Sequence, residues 1–234
     1  MGRMTAVVVS AAAGLCVASP ARAHFILQSP GSWAAQASLG DPQKSAPCGQ
    51  ADPGTPAVET GVITYYASGQ TVTVTINETV PHPGHYRAVL STTGQAGLPP
   101  DPPVTAGSTP CGSAEIQSPP VFPVLADGEL VHTAAFSAPQ SFTFKLPSDV
   151  TCTDNCVLQV AEFMSDHGLN NPGGCFYHHC ANIRIEANGG GADAGGHGLA
   201  EDNGCQCAAG GSSGPDHWTM ITVFPGPPWR PRSA

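Results

Sequence analysis

The sequence predicts an all-β fold, an antiparallel β-sandwich of immunoglobulin-like or fibronectin type with long loops tethered by disulfides. Three observations carry this. Apolar side chains recur with a period of two in short runs rich in β-branched and aromatic residues, and no stretch shows a helical period. Gly, Pro, Asn and Asp separate those runs at turn-like intervals. Eight cysteines remain once the N-terminal leader is set aside, an even number that suits disulfides in an exported chain.

In chain order the strand candidates are "GVITYYA" (61 to 67), "TVTVTI" (71 to 76), "HYRAVLS" (85 to 91), "ELVHTAAF" (129 to 136), "SFTFKL" (141 to 146), "CVLQVAEFM" (156 to 164) and "NIRIE" (182 to 186). Alternation is clearest in "TVTVTI": Val72, Val74 and Ile76 share one face, and Thr71, Thr73 and Thr75 the other. Residues 31 to 60 and 92 to 128 are too long and too dense in Pro and Gly for hairpin turns. Ordered loops of that length on a rigid sandwich commonly carry function. Cys48 and Cys111 are placed to tether them. Cys152 and Cys156 either bond each other or reach Cys111 and Cys175, and eight cysteines allow about 105 pairings in all.

Three segments follow from composition. Residues 1–23 read as a secretory signal, with Arg3, the apolar "AVVVSAAAGLCVA" and a cleavage site at Ala21-Arg22-Ala23. Residues 24–187 form the sandwich domain, about 160 residues and enough for a sizeable core. Residues 188–234 form a flexible Gly- and Pro-rich tail. Cys205 and Cys207 in "GCQC" resemble the start of a cell-surface sorting tail, but prolines break the apolar helix such a tail needs.

No second window is apolar for long enough to span a bilayer, so the processed chain is expected to be secreted, extracellular or periplasmic, and monomeric. Removal of Arg3 and Arg22 leaves six basic residues against 17 acidic ones, a net charge near −11, which argues against nucleic acid or anionic lipid as a partner.

Cleavage after Ala23 would make His24 the first residue. A free N-terminal histidine offers two nitrogens, the α-amine and Nδ1, close enough to chelate one metal. A second imidazole makes three nitrogens in a tetragonal plane, which suits Cu(II). "VPHPGHYRAVL" offers two candidates: His82, before the Pro83-Gly84 step, and His85, at the start of the next strand. An ordinary surface or core histidine is the alternative for each.

Four features in this order resemble the lytic polysaccharide monooxygenases, above all the small single-domain bacterial members and related insect and fungal types. They are the mature His24, "HPGHY", "NCVLQV" and "YHHCANI", and together they span residues 24 to about 187. The resemblance implies that His24 supplies amine and imidazole, His82 the second imidazole and Tyr177 the axial aromatic. It implies one copper ion cycling between Cu(II) and Cu(I), an external reductant, O2 or H2O2 as co-substrate and a polysaccharide such as chitin or cellulose as substrate. It also implies a Cys48–Cys180 bridge.

Glu162 would set a carboxylate beside the axial position to orient a peroxide, with surface solvation as its alternative. At most one of His178 and His179 shares the face of Tyr177. Cys175 stands where the family often has Gln or Glu, and His132, His167, His197 and His217 fit no motif. Trp33, Tyr65 and Tyr66 are the aromatic candidates for a polysaccharide surface. A secreted copper carrier would share the N-terminal histidine, although the processed chain has only Met164 and Met220 to hold Cu(I). An adhesion module without metal leaves His24 unexplained.

Overall fold

The computed structural model describes residues 24–52, 54–168 and 174–188. They form an all-β sandwich whose regular helix is limited to one 3-10 turn at Gln95–Gly97. One sheet has three strands: β1 (His24–Ser29), β3 (Thr71–Val80) and β8 (Gln140–Lys145), in the order β1-β3-β8. The other has five, in the order β2-β10-β9-β4-β7: β2 (Ile63–Ala67), β4 (Gly84–Ser91), β7 (Val124–His132), β9 (Cys152–Met164) and β10 (Phe176–Glu186). A small hairpin of β5 (Val104–Thr105) and β6 (Ser113–Ala114) lies in the second long loop.

The alternation in β3 does what its pattern predicts: Val72, Val74 and Ile76 are fully buried, while Thr71 and Thr73 face water. β8 repeats it with Phe142 and Phe144 inward and Ser141 and Thr143 outward. One departure from the antiparallel expectation is β2, which pairs with β10 in parallel. All seven predicted runs lie in strands, but the fourth is displaced. β7 ends at His132 and begins at Val124, inside the stretch read as loop.

β9 and β10 are buried on both faces, and this explains their nearly unbroken apolar runs. Their inner residues, Leu158, Val160, Ala181 and Ile183, join the main core with β3 and β8. Their outer residues lie beneath the two long loops. Val157 packs with Trp33 and the Cys48–Cys180 disulfide, and Phe163 and Phe176 pack with Cys111–Cys175. Cys152 and Cys156 bond each other, closing one of the open alternatives. Cys205 and Cys207 lie outside the described residues. Three disulfides fit an extracellular protein. Among the described residues no helix is long and apolar enough to cross a membrane.

Candidate metal centre

The start of β1 is gripped from three sides. Gln43 Oε1 accepts the Phe25 amide at 3.1 Å, and His179 Nε2 donates to the Phe25 carbonyl at 2.9 Å. Thr79 Oγ1 donates to the carbonyl of His24 at 3.0 Å. The loop delivering Gln43 is itself fixed, because Asp52 accepts the amides of Gln43, Lys44 and Ser45. Gly40 turns that loop over Phe25 with φ 109°, and a Cβ there would meet the Phe25 carbonyl oxygen at 2.0 Å. A glycine is required on both counts. The backbone on either side of the Phe25 peptide thus has little freedom.

This grip sets the His24 ring, which is fully buried in the chain that still carries Ala23. Its Nε2 lies 3.2 Å from Asp41 Oδ2, and Asp41 Oδ1 lies 3.1 Å from Lys44 Nζ. The His24 contact, aided by Lys44 and opposed by burial, lowers the Asp41 carboxyl to about 2. Both ring nitrogens of His24 are buried and neither makes a well-formed hydrogen bond. Nε2 thus faces a carboxylate, while Nδ1 has no polar neighbour of that kind.

A row of ring contacts runs from His24 through Tyr177 and His167 to His82. The His24 ring centroid is 5.4 Å from that of Tyr177, Tyr177 is 5.1 Å from His167, and His167 is 5.4 Å from His82. His82 Nδ1 is 2.5 Å from Asp166 Oδ1, so of its two ring nitrogens Nε2 is the one that could meet a metal. His167 Nδ1 donates to the Gly174 carbonyl at 3.1 Å, so its Nε2 accepts from the Tyr177 hydroxyl at 3.2 Å. Burial above all lowers the His167 pKa and keeps the ring neutral. Cys175, at the position where a carboxamide or carboxylate was expected, instead bonds Cys111 and neighbours Gly174. His167 supplies the polar contact to Tyr177 that Cys175 does not.

The "HPGHY" turn has a steric cause. At Gly84 a Cβ would lie 1.8 Å from the Phe163 carbonyl oxygen, so β4 can pair with β9 at that point only through a glycine. His82 and His85 then part company. His85 packs on the other face against Phe163, at 5.2 Å between rings, away from the His24 cluster.

Other expectations fare unevenly. His179 lies on the inner face with Tyr177, and burial drives its pKa to about 4, so it serves as a neutral donor to Phe25. His178 faces outward and pairs with Asp101 at 2.7 Å. Glu162 is not surface-solvated: it is fully buried, directly opposite Tyr177 on one side and Tyr86 on the other. Trp33 is no surface platform, since it is buried and donates through Nε1 to the Cys48 carbonyl. Tyr66 packs against the core. Tyr65 is 62% exposed, but it pairs with Arg184, seven residues along β10 from Tyr177 or about 23 Å. His197 and His217 lie outside the described residues.

No family model and no curated protein sequence matches the chain. Among solved structures it is similar to the lytic polysaccharide monooxygenase AA15 from Thermobia domestica in the Cu(I) state, at 20% identity and a TM-score of 0.39, over 59% of this chain and 75% of that one. It is also similar to a chitin binding domain from Burkholderia pseudomallei, at 12% identity and a TM-score of 0.37, over 69% of this chain and all of that one. Likenesses this distant carry no argument of their own. Asp41, Asp166 and His167 were invisible to motif reading, because each reaches the cluster from a loop through contacts that no spacing encodes.

Proposed function

We propose that the chain, processed to begin at His24, holds one copper ion and acts as a secreted oxidase that cleaves glycosidic linkages in a polysaccharide such as chitin or cellulose. The observation that carries this is the fully buried ring of His24, where neither nitrogen makes a well-formed hydrogen bond and Nε2 faces the Asp41 carboxylate at 3.2 Å. The donor types would suit copper: the α-amine and Nδ1 of His24 and Nε2 of His82 would offer three nitrogens, and Tyr177 a phenol oxygen. Copper when bound would supply one-electron chemistry between Cu(II) and Cu(I), driven by an external reductant and O2 or H2O2.

The chain's own residues hold and shield that site. Gln43, His179 and Thr79 immobilise the backbone that presents His24. Asp166 fixes the tautomer of His82, and His167 holds the Tyr177 hydroxyl. Glu162 lies behind Tyr177 within the core, so no role toward a co-substrate is assigned to it.

A copper carrier is the second reading. It is favoured by the aromatic candidates, of which only Tyr65 is exposed, and that one lies far along β10. To separate the two, copper-loaded protein beginning at His24 is incubated with chitin or cellulose, ascorbate and H2O2, and the soluble fraction is analysed by mass spectrometry. Oxidised oligosaccharides that disappear in His82→Ala are expected. Tight copper binding with no oxidised product on either polymer would contradict the oxidase reading and leave the carrier.

A further inference from the structure

A second set of metal-ligating atoms lies in the core, next to the His24 site, which it adjoins where Glu162 pairs with Tyr177. Glu78 comes from β3 in the small sheet, and His132 and Glu162 come from β7 and β9 in the large one. One ligand atom from each lies within 4.8 Å of the others. Their side chains are nearly or wholly shut from water. His132 Nε2 is 2.8 Å from Glu78 Oε1, but both oxygens of Glu162 and Oε2 of Glu78 have no hydrogen-bond partner. The Tyr86 hydroxyl, on the strand directly opposite Glu162, is also buried with no well-formed hydrogen bond, although it and Glu78 both lie close enough to act on the Glu162 carboxyl. Among the described residues no Lys or Arg forms an ion pair with either carboxylate.

We propose that Glu78, His132 and Glu162, with the Tyr86 hydroxyl beside them, bind one divalent ion of the zinc type between the two sheets. Two carboxylates and a neutral imidazole carry two negative charges, which one such ion neutralises. Left unpaired in the core, those charges would be strongly unfavourable. Oxygen and imidazole donors in this number suit zinc. The histidine is prepared for it: Nδ1 donates to the Leu130 carbonyl at 2.8 Å, which leaves Nε2 as the ligating nitrogen. Leu130 takes a φ of 51° to bring that carbonyl round, an unusual conformation for a branched side chain. Burial foremost and then the neighbouring Glu78, opposed by the Tyr86 hydroxyl, push the Glu162 carboxyl well above its usual range.

This assignment does not rest on the copper reading, and its test removes the copper site. Protein retaining Ala23 and carrying His82→Ala is stripped with EDTA, exposed to zinc sulfate alone, desalted and analysed for metal content and by zinc-edge X-ray absorption. One zinc per chain is expected, with one imidazole and otherwise oxygen donors at about 2.0–2.2 Å. Adding Glu162→Gln, which keeps the shape and removes the charge, should weaken zinc binding by at least about tenfold. His132→Asn, at the rim, serves the same purpose if that variant does not fold.

No retained zinc would overturn the assignment, as would retention unchanged by both substitutions. Equal melting temperatures with zinc and with EDTA, together with a more stable Glu162→Gln, would overturn it in favour of a proton shared by the two carboxyls.

Discussion

Asp41 couples the chemistry of His24 to the stability of the loop that covers it. Its carboxyl is lowered from 3.8 to about 2, chiefly by the His24 contact. A depressed carboxyl stabilises the fold fully above its unfolded value and loses that contribution as pH falls through the folded one. Metal-free protein should therefore lose at most about 2 kcal/mol between roughly pH 4 and 2 from this group alone. Urea unfolding of wild type and Asp41→Asn checks this: the gap present at pH 7 should nearly close by pH 2, and a gap independent of pH would exclude the Asp41 carboxylate as its source. At this scale the sequence was informative where chemistry is carried by position. The cleavage site points to His24, and the family resemblance points to His82 and Tyr177; a row of ring contacts through His167 links the three. His167 itself could not be read. It reaches Tyr177 from a turn anchored on Gly174, and "SDHG" reads as an ordinary turn.

Among the elements, β4 is the most demanding. Gly84 brings it onto β9 so closely that any side chain would strike the Phe163 carbonyl, and this turn also delivers His82. Gly84→Ala should cost about 1–3 kcal/mol and displace His82 with the strand. Denaturant unfolding and copper titration would measure the two effects, and a variant unchanged in both would show that β4 can shift freely. The strands visible beforehand were those with strict alternation, β3 and β8 above all. β1 escaped because "HFILQS" is short and follows the leader directly, although its Phe25 and Leu27 enter the core. β7 was displaced because Gly128 and the bulge at Leu130 break its period, so the apolar residues after His132 looked like its continuation. Parallel pairing of β2 depends on a partner more than a hundred residues away, and no local pattern reports it.

For the whole molecule, composition and cysteine parity were enough to indicate a disulfide-linked β-sandwich, but not how its strands divide between sheets. That division decides the chemistry. It places β1 opposite β10, so that His24 faces Tyr177, and β3 opposite β9, so that Glu78 faces Glu162. The long loops then close over the outer face through Cys48–Cys180 and Cys111–Cys175. The two candidate centres thus occupy the space between the sheets, one at the first residue of β1 and the other within the core.

The most direct test of the central claim is electron paramagnetic resonance of the Cu(II) form, comparing protein that begins at His24 with protein that keeps Ala23, alongside copper titration of each. The first should show a tetragonal centre coupled to three nitrogens. Keeping Ala23 should remove one nitrogen coupling and weaken copper by at least about tenfold. Identical spectra and affinities would contradict the account, because the α-amine of His24 would then play no part in holding the metal.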